Sequence, residues 1–179
     1  MSIEQTITGS PDTTMGAHDP VSAGATALGI VRILLGTVFL WSALDKSFGL
    51  YATAPDESWL AGHSPTSGYL AGVDGWFAGP FNAMSGQLWV DALFVVGMGT
   101  VGLALVSGVT MRLAALGAGA LMGSLYLTSL PLENNPFVDE HLIYATVAVA
   151  LAAVGAGDAL GFGRAWKRLP VVRDTPWLR

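Results

Sequence analysis

The chain has 179 residues, of which 52% are hydrophobic and only 12% charged, against about one quarter charged in ordinary soluble domains. That leaves too little polar surface to coat a water-soluble globule, and the length suits one compact domain. A formal net charge of -5 argues against a nucleic-acid partner, and the absence of cysteine excludes thiolate-held iron–sulfur clusters and a paired-thiol (disulfide) electron relay within this chain.

The first residues hold Glu4, Asp12 and Asp19 and no Lys or Arg. They lack the basic start of a secretory signal peptide, and 1–22 are read as a flexible cytoplasmic tail. An apolar stretch over 23–44 follows, matching the roughly twenty residues that cross a hydrocarbon core as helix. Arg32 lies near its inner end, where its long side chain either snorkels to the interface or meets Asp158. Residues 45–86 exceed a simple connection, since loops beyond about 15 residues usually carry a function or fold of their own. Trp59, Tyr69, Trp76, Phe77 and Phe81 among Gly and Pro predict an ordered cap over the outer mouth of a helix bundle. Within it, Ser64, Pro65 and Thr66 turn into a short helix.

Further apolar stretches cover 88–107, 111–130 and 138–155. Gly108, Val109 and Thr110 alone join the second to the third, a link so short that the two must be antiparallel neighbours. Ala115, Gly119 and Gly123 recur at four-residue spacing, and Gly99 with Gly102 notches the second span. Both mark faces for close helix contact, within the monomer or at a seam with another chain. Pro131, Asn134, Asn135 and Pro136 predict a rigid turn before the last span, with Asn135 held out of helical geometry by the proline after it. A basic segment, 164–179, ends the chain. Arg32, Arg112, Arg164, Lys167, Arg168, Arg173 and Arg179 fall on one side of the spans and Lys46 alone on the other, which by the positive-inside rule puts both termini in the cytoplasm. The expected fold is all-α: a polytopic membrane protein, an antiparallel four-transmembrane-helix bundle over 23–163, with an extracytoplasmic cap between helices 1 and 2.

Depth locates the candidate chemistry. Lys46 ends the first span, Asp91 lies about one turn inside the second, and Glu140 and His141 open the fourth, so these ionisable groups share one outer layer. Charge inside a span is costly enough to suggest a function. Trp41, Trp89, Tyr126 and Tyr144 fall in the same third of the membrane. Together they offer a site for a flat ring such as a quinone head, with His141 or Tyr144 donating to a carbonyl and Asp91 or Glu140 handling the proton. The other reading is an ordinary interfacial aromatic belt with a structural pair of Lys46 and Asp91 or Glu140. Haem is not expected, because His141 is the sole histidine in a span, His63 being in the cap and His18 in the tail. Met98 and Met122 read as core filling. A metal is not expected either, since consecutive Asp139, Glu140 and His141 cannot all face one ion from a helix.

Several stretches share a pattern with a known family. They are Arg32, Gly36 and Lys46 in the first span, Trp59, Gly62, Ser64, Pro65, Thr66, Gly68 and Leu70 in the cap, and Asn134, Asn135, Pro136, Phe137, Asp139 and His141 before the fourth span. The ending Trp166, Pro170, Val171, Arg173, Pro176, Trp177, Leu178, Arg179 completes the pattern. On these residues the chain resembles the DoxX/DoxD family of small four-helix membrane proteins, and within it the DoxD-like subunits of thiosulfate:quinone oxidoreductases. The resemblance implies a multi-pass protein of a prokaryotic cytoplasmic membrane, in contact with membrane lipid and tied to electron transfer into the quinone pool. Thiosulfate is the implied donor, and a DoxA-like subunit or a respiratory complex the implied partner. No catalytic set comes with it, so Lys46, Asp91, Glu140 and His141 rest on depth and charge. Two functions are carried forward: a membrane subunit of a quinone-linked oxidoreductase, and a non-catalytic accessory subunit of a larger respiratory or redox complex.

Overall fold

The computed structural model describes residues 22–178, and the regular elements among them are all helical. In chain order the α-helices are α1 (Ala23–Phe48), α2 (Ser67–Ala71), α3 (Ala78–Ala83), α4 (Leu88–Ser107), α5 (Met111–Thr128), α6 (Glu140–Ala153), α7 (Gly163–Trp166) and α8 (Pro170–Asp174). The tail expected over 1–22 lies outside the described residues except for Ser22, whose hydroxyl caps α1 by accepting from the Ala25 amide at 3.2 Å.

Four long helices carry the core. α1 lies along α4, α4 against α5, and α5 against α6, with Phe39, Met98, Leu105, Met122 and Leu151 packed at the centre. Close approach of α1 and α4 is a glycine effect. A Cβ on Gly102 would sit 2.5 Å from the Leu40 amide nitrogen, and one on Gly36 2.8 Å from that of Val106. The α4 notch read from Gly99 and Gly102 therefore faces α1. Along α5 the row divides: Ala115 is buried, whereas a Cβ on Gly119 or Gly123 would meet nothing within 4 Å, so the small-residue spacing is open only at its two glycines.

By length and composition α1 and α4 can cross a membrane, and α6 is a shorter apolar helix. The 14 residues of α6 rise about 21 Å, against about 30 Å of bilayer hydrocarbon. The stretch expected over 138–155 is shortened at both ends, because Asp139 stands outside the helix as an extended N-cap and Gly155 turns left-handed at φ 67°.

Arg32 corrects the sequence reading. It is fully buried and donates through Nη1 to the carbonyls of Leu105 and of Val106 (2.9 Å), and through Nη2 to those of Ala159 (3.1 Å) and Leu160 (3.0 Å). The last four carbonyls of a helix have no partner within it. At the end of α4, Gly108 serves Ala104 and Phe162 serves Ser107, and Arg32 takes the two that remain. The left-handed residue Leu160, φ 52°, helps present the second pair of carbonyls. A guanidinium suits this place, with five donors in a rigid fork set against the negative end of a helix. Arg32 therefore neither snorkels nor meets Asp158, which takes Lys167 at 2.8 Å instead.

The basic C-terminal segment folds back on the same end. Trp166 Nε1 donates to the Leu178 carbonyl at 2.5 Å and Arg112 Nη1 to that of Pro176 at 2.9 Å, while Val172 is buried.

Candidate functional site

The segment between α1 and α4 is a folded cap fixed by two buried aspartates. Gly49 ends α1 in the left-handed region, and the Asp45 carboxylate then accepts from the amides of Tyr51 (2.6 Å), Ala52 (3.0 Å) and Thr53 (3.1 Å) and from the Thr53 hydroxyl (2.9 Å). Four donors on one carboxylate reverse the chain over the helix end. Asp91 of α4, 3% exposed, accepts from Ser64 Oγ (2.8 Å), Thr66 Oγ1 (2.6 Å) and the Thr66 amide (3.3 Å). It thereby holds the turn that leads into α2. Asn82 Nδ2 ties α3 to α2 through the carbonyls of Leu70 (2.7 Å) and Val73 (3.0 Å). The far edge docks by the Tyr69 hydroxyl on Thr128 Oγ1 (2.7 Å) and by the Trp76 amide on the Leu130 carbonyl (3.3 Å).

Beneath the cap lies a cleft of about 650 Å³. Its walls are mostly apolar, with Phe81 from α3 and Trp89 and Phe94 from α4, and the polar side chains at its edge include Lys46, Thr66 and His141. Ligand clefts commonly have this form, an apolar body with a few placed polar groups. Lys46 makes no ion pair among the described residues. His141 Nδ1 lies 2.7 Å from Asp139 Oδ2, both side chains being largely covered, at 20% and 12% exposure. Asp139 Oδ1 accepts from the Leu142 amide at 3.0 Å. Burial works against ionisation of Asp139, but the Leu142 amide and the His141 imidazole outweigh it and hold the carboxyl below its ordinary range. A carboxylate anchored beside Nδ1 orients the imidazole ring at the cleft.

The structure brings together some of the residues singled out from sequence and separates others. Lys46, His141 and Trp89 line the one cleft. Asp91 is committed to the cap, does not line the cleft, and makes no ion pair with a lysine among the described residues. Glu140 lines a second, acidic cleft of about 620 Å³ with Asp74, Glu133 and Asp139, which adjoins the first at Tyr69 and Thr128. Of the aromatics proposed to sandwich a ring, Trp41 is half exposed and off the cleft, the Tyr126 hydroxyl donates to the Phe137 carbonyl at 3.0 Å, and Tyr144 packs on the core. Trp89 alone remains, joined by Phe81, Phe94 and Tyr69. Sequence reasoning missed Asp139 as the partner of His141, although an aspartate at the N-cap two residues before the histidine was a readable signal. Among the described residues no group of His, Asp and Glu is arranged to hold a metal ion.

Compared with known protein families, curated proteins and solved structures, the chain matches none.

Proposed function

We propose that this chain is a four-span protein of a prokaryotic cytoplasmic membrane whose cap-side cleft binds a quinone head, as the membrane subunit of a quinone-linked oxidoreductase of the thiosulfate:quinone type. Large aliphatic side chains stand exposed on each long helix: Leu34 and Val38 on α1, Leu93 and Val96 on α4, Leu116 on α5, Ile143 and Val149 on α6. Exposed apolar surface of that extent suits lipid better than water. The short α6 fits a bilayer by local thinning.

The observation that carries the reading is the convergence of Lys46, the Asp139-oriented His141 and Trp89 on one apolar cleft. A quinone head is flat and neutral with a carbonyl oxygen at each end, so it suits apolar walls with a donor at the rim. Reduction adds two electrons and two protons to give the hydroquinone. In this reading the Lys46 ammonium donates to one carbonyl and offsets the negative charge that develops there, the imidazolium form of His141 hands a proton from Nε2 to the other, and the second proton comes from water at the open side of the cleft. Trp89 covers the ring face. Electrons come from a partner, a DoxA-like subunit or a respiratory complex, with thiosulfate as the donor that the DoxX/DoxD resemblance implies. The outer cleft with Asp74, Glu133, Asp139 and Glu140 repels a free anion, which assigns donor capture to that partner.

The test is a titration of the purified protein with a short-chain quinone. Lys46→Ala and His141→Ala should each weaken binding about tenfold, the value of one charge-assisted hydrogen bond of roughly 1.5 kcal/mol. Unchanged affinity in both variants removes these residues from the site. The open glycine face of α5 favours a second reading, a non-catalytic accessory subunit docked on a larger complex. Stoichiometric recovery with cytochrome subunits, together with no quinone binding, would decide for it.

A further inference from the structure

A second hollow, of about 540 Å³, runs along the outside of α4 and α5. Its floor is made of small residues, among them Gly97, Ala104 and Ala120, and no ionisable residue lines it. Leu93, Leu121 and Ser124 line both this groove and the cleft beneath the cap, so the two adjoin across these side chains. From Leu93 to Ala104 the groove follows α4 for about 16 Å of helix rise, away from the end that carries Lys46 and His141. Leu93 and Leu113 along it are exposed, at 61% and 43%, so it opens sideways into the lipid layer.

Resting on the quinone reading above, we propose that the α4–α5 groove seats the isoprenoid tail of the quinone whose head occupies the cap-side cleft. The cap end carries the donors Lys46 and His141, whereas the groove is largely apolar, its hydroxyls being those of Thr100 and Ser124, which donate to carbonyls of their own helices, and of Thr110 at the far end. A tail is as apolar in lipid as in the groove, so the groove adds little hydrophobic affinity. Its contribution is direction. A tail held along α4 and α5 restricts the head to the orientation that presents its carbonyls to Lys46 and His141, which is how positioning accelerates transfer. The same opening admits the quinone laterally from the membrane.

Photolabelling of the full chain in vesicles tests this with two quinones, one carrying a diazirine on the ring and one in the tail. The ring probe should label the cap and the start of α6, and the tail probe α4 and α5 around Ala104, Leu113 and Ala120. An excess of unlabelled long-tailed quinone should remove both signals. Ala120→Trp, at an exposed position, should cut tail labelling at least tenfold, while the ring probe still labels the cap and the start of α6. Tail labelling on the outer faces of α1 or α6, or groove labelling that a diazirine phospholipid reproduces and quinone does not displace, overturns the groove assignment while the head site stands. Failure of the ring probe to label the cleft overturns the quinone reading itself.

Discussion

Arg32→Met tests whether a guanidinium holds the end of the bundle opposite the cap. The substitution keeps an unbranched apolar stem and removes the donors serving Leu105, Val106, Ala159 and Leu160, at a position with 0% exposure. One buried acceptor left without its donor costs about 1–3 kcal/mol. Four such losses do not add in full, because the turn after α6 relaxes and water reaches some of the carbonyls. Hydrogen bonds from a charged donor are worth about 1.5–3 kcal/mol each, so with that partial relief the net loss is about 3–5 kcal/mol. At about 2–4 °C per kcal/mol for a chain of this size, the expected fall in Tm is about 6–20 °C. Size-exclusion chromatography after heating in mild detergent reads it. Arg32→Lys keeps the charge but replaces a five-donor fork by a single nitrogen, and should recover less than half of the loss. A snorkelling arginine would tolerate lysine fully. A methionine variant within about 2 °C of wild type, less than 1 kcal/mol on the same scale, refutes the carbonyl-clamp account.

Asp91→Ala should free the Ser64 to Thr66 turn, each lost bond to the carboxylate being worth about 1.5–3 kcal/mol, and limited proteolysis should then cut within residues 50–86 while the four long helices survive. Asp139 lies before α6 with its folded carboxyl held below the ordinary value. Its contribution is therefore complete above the unfolded carboxylate range and is lost as pH falls through that range towards the folded value. Hydrogen exchange at the Leu142 amide should quicken in that acidic window, and Asp139→Asn should remove the pH dependence. Gly102→Ala forces a methyl against the Leu40 backbone and should destabilise by about 1–3 kcal/mol. Gly119→Ala, facing open space, should be neutral or stabilising in the same thermal assay.

Long features were legible in the sequence and committed side chains were not. Apolar length placed α1 and α4 directly, and the brevity of the Gly108, Val109, Thr110 link made α4 and α5 antiparallel neighbours. An ordered cap followed from its aromatics among Gly and Pro. Depth alone grouped Lys46, Asp91, Glu140 and His141 at one end, but depth does not say which way a side chain faces around a helix. Neighbouring positions on α6 diverge, so Glu140 lines the acidic outer cleft and His141 the apolar one. Asp91 read as a proton-handling group or a partner of Lys46 because its donors, Ser64 and Thr66, come from a segment whose return path no local pattern encodes. Arg32 was misread for the same reason: its acceptors are backbone carbonyls, which carry no residue signature. Tyr126 and Tyr144 had belt-like depth, yet one serves the turn before α6 and the other the core.

In the proposed site Lys46 and His141 together hold a quinone head beneath the cap. The most direct test places ¹³C at both quinone carbonyls and reads their NMR shifts in the bound state. Two distinct, displaced carbonyl signals are predicted, one returning towards the free value in Lys46→Ala and the other in His141→Ala. A bound quinone whose carbonyl shifts are the same in wild type and in both variants would contradict it.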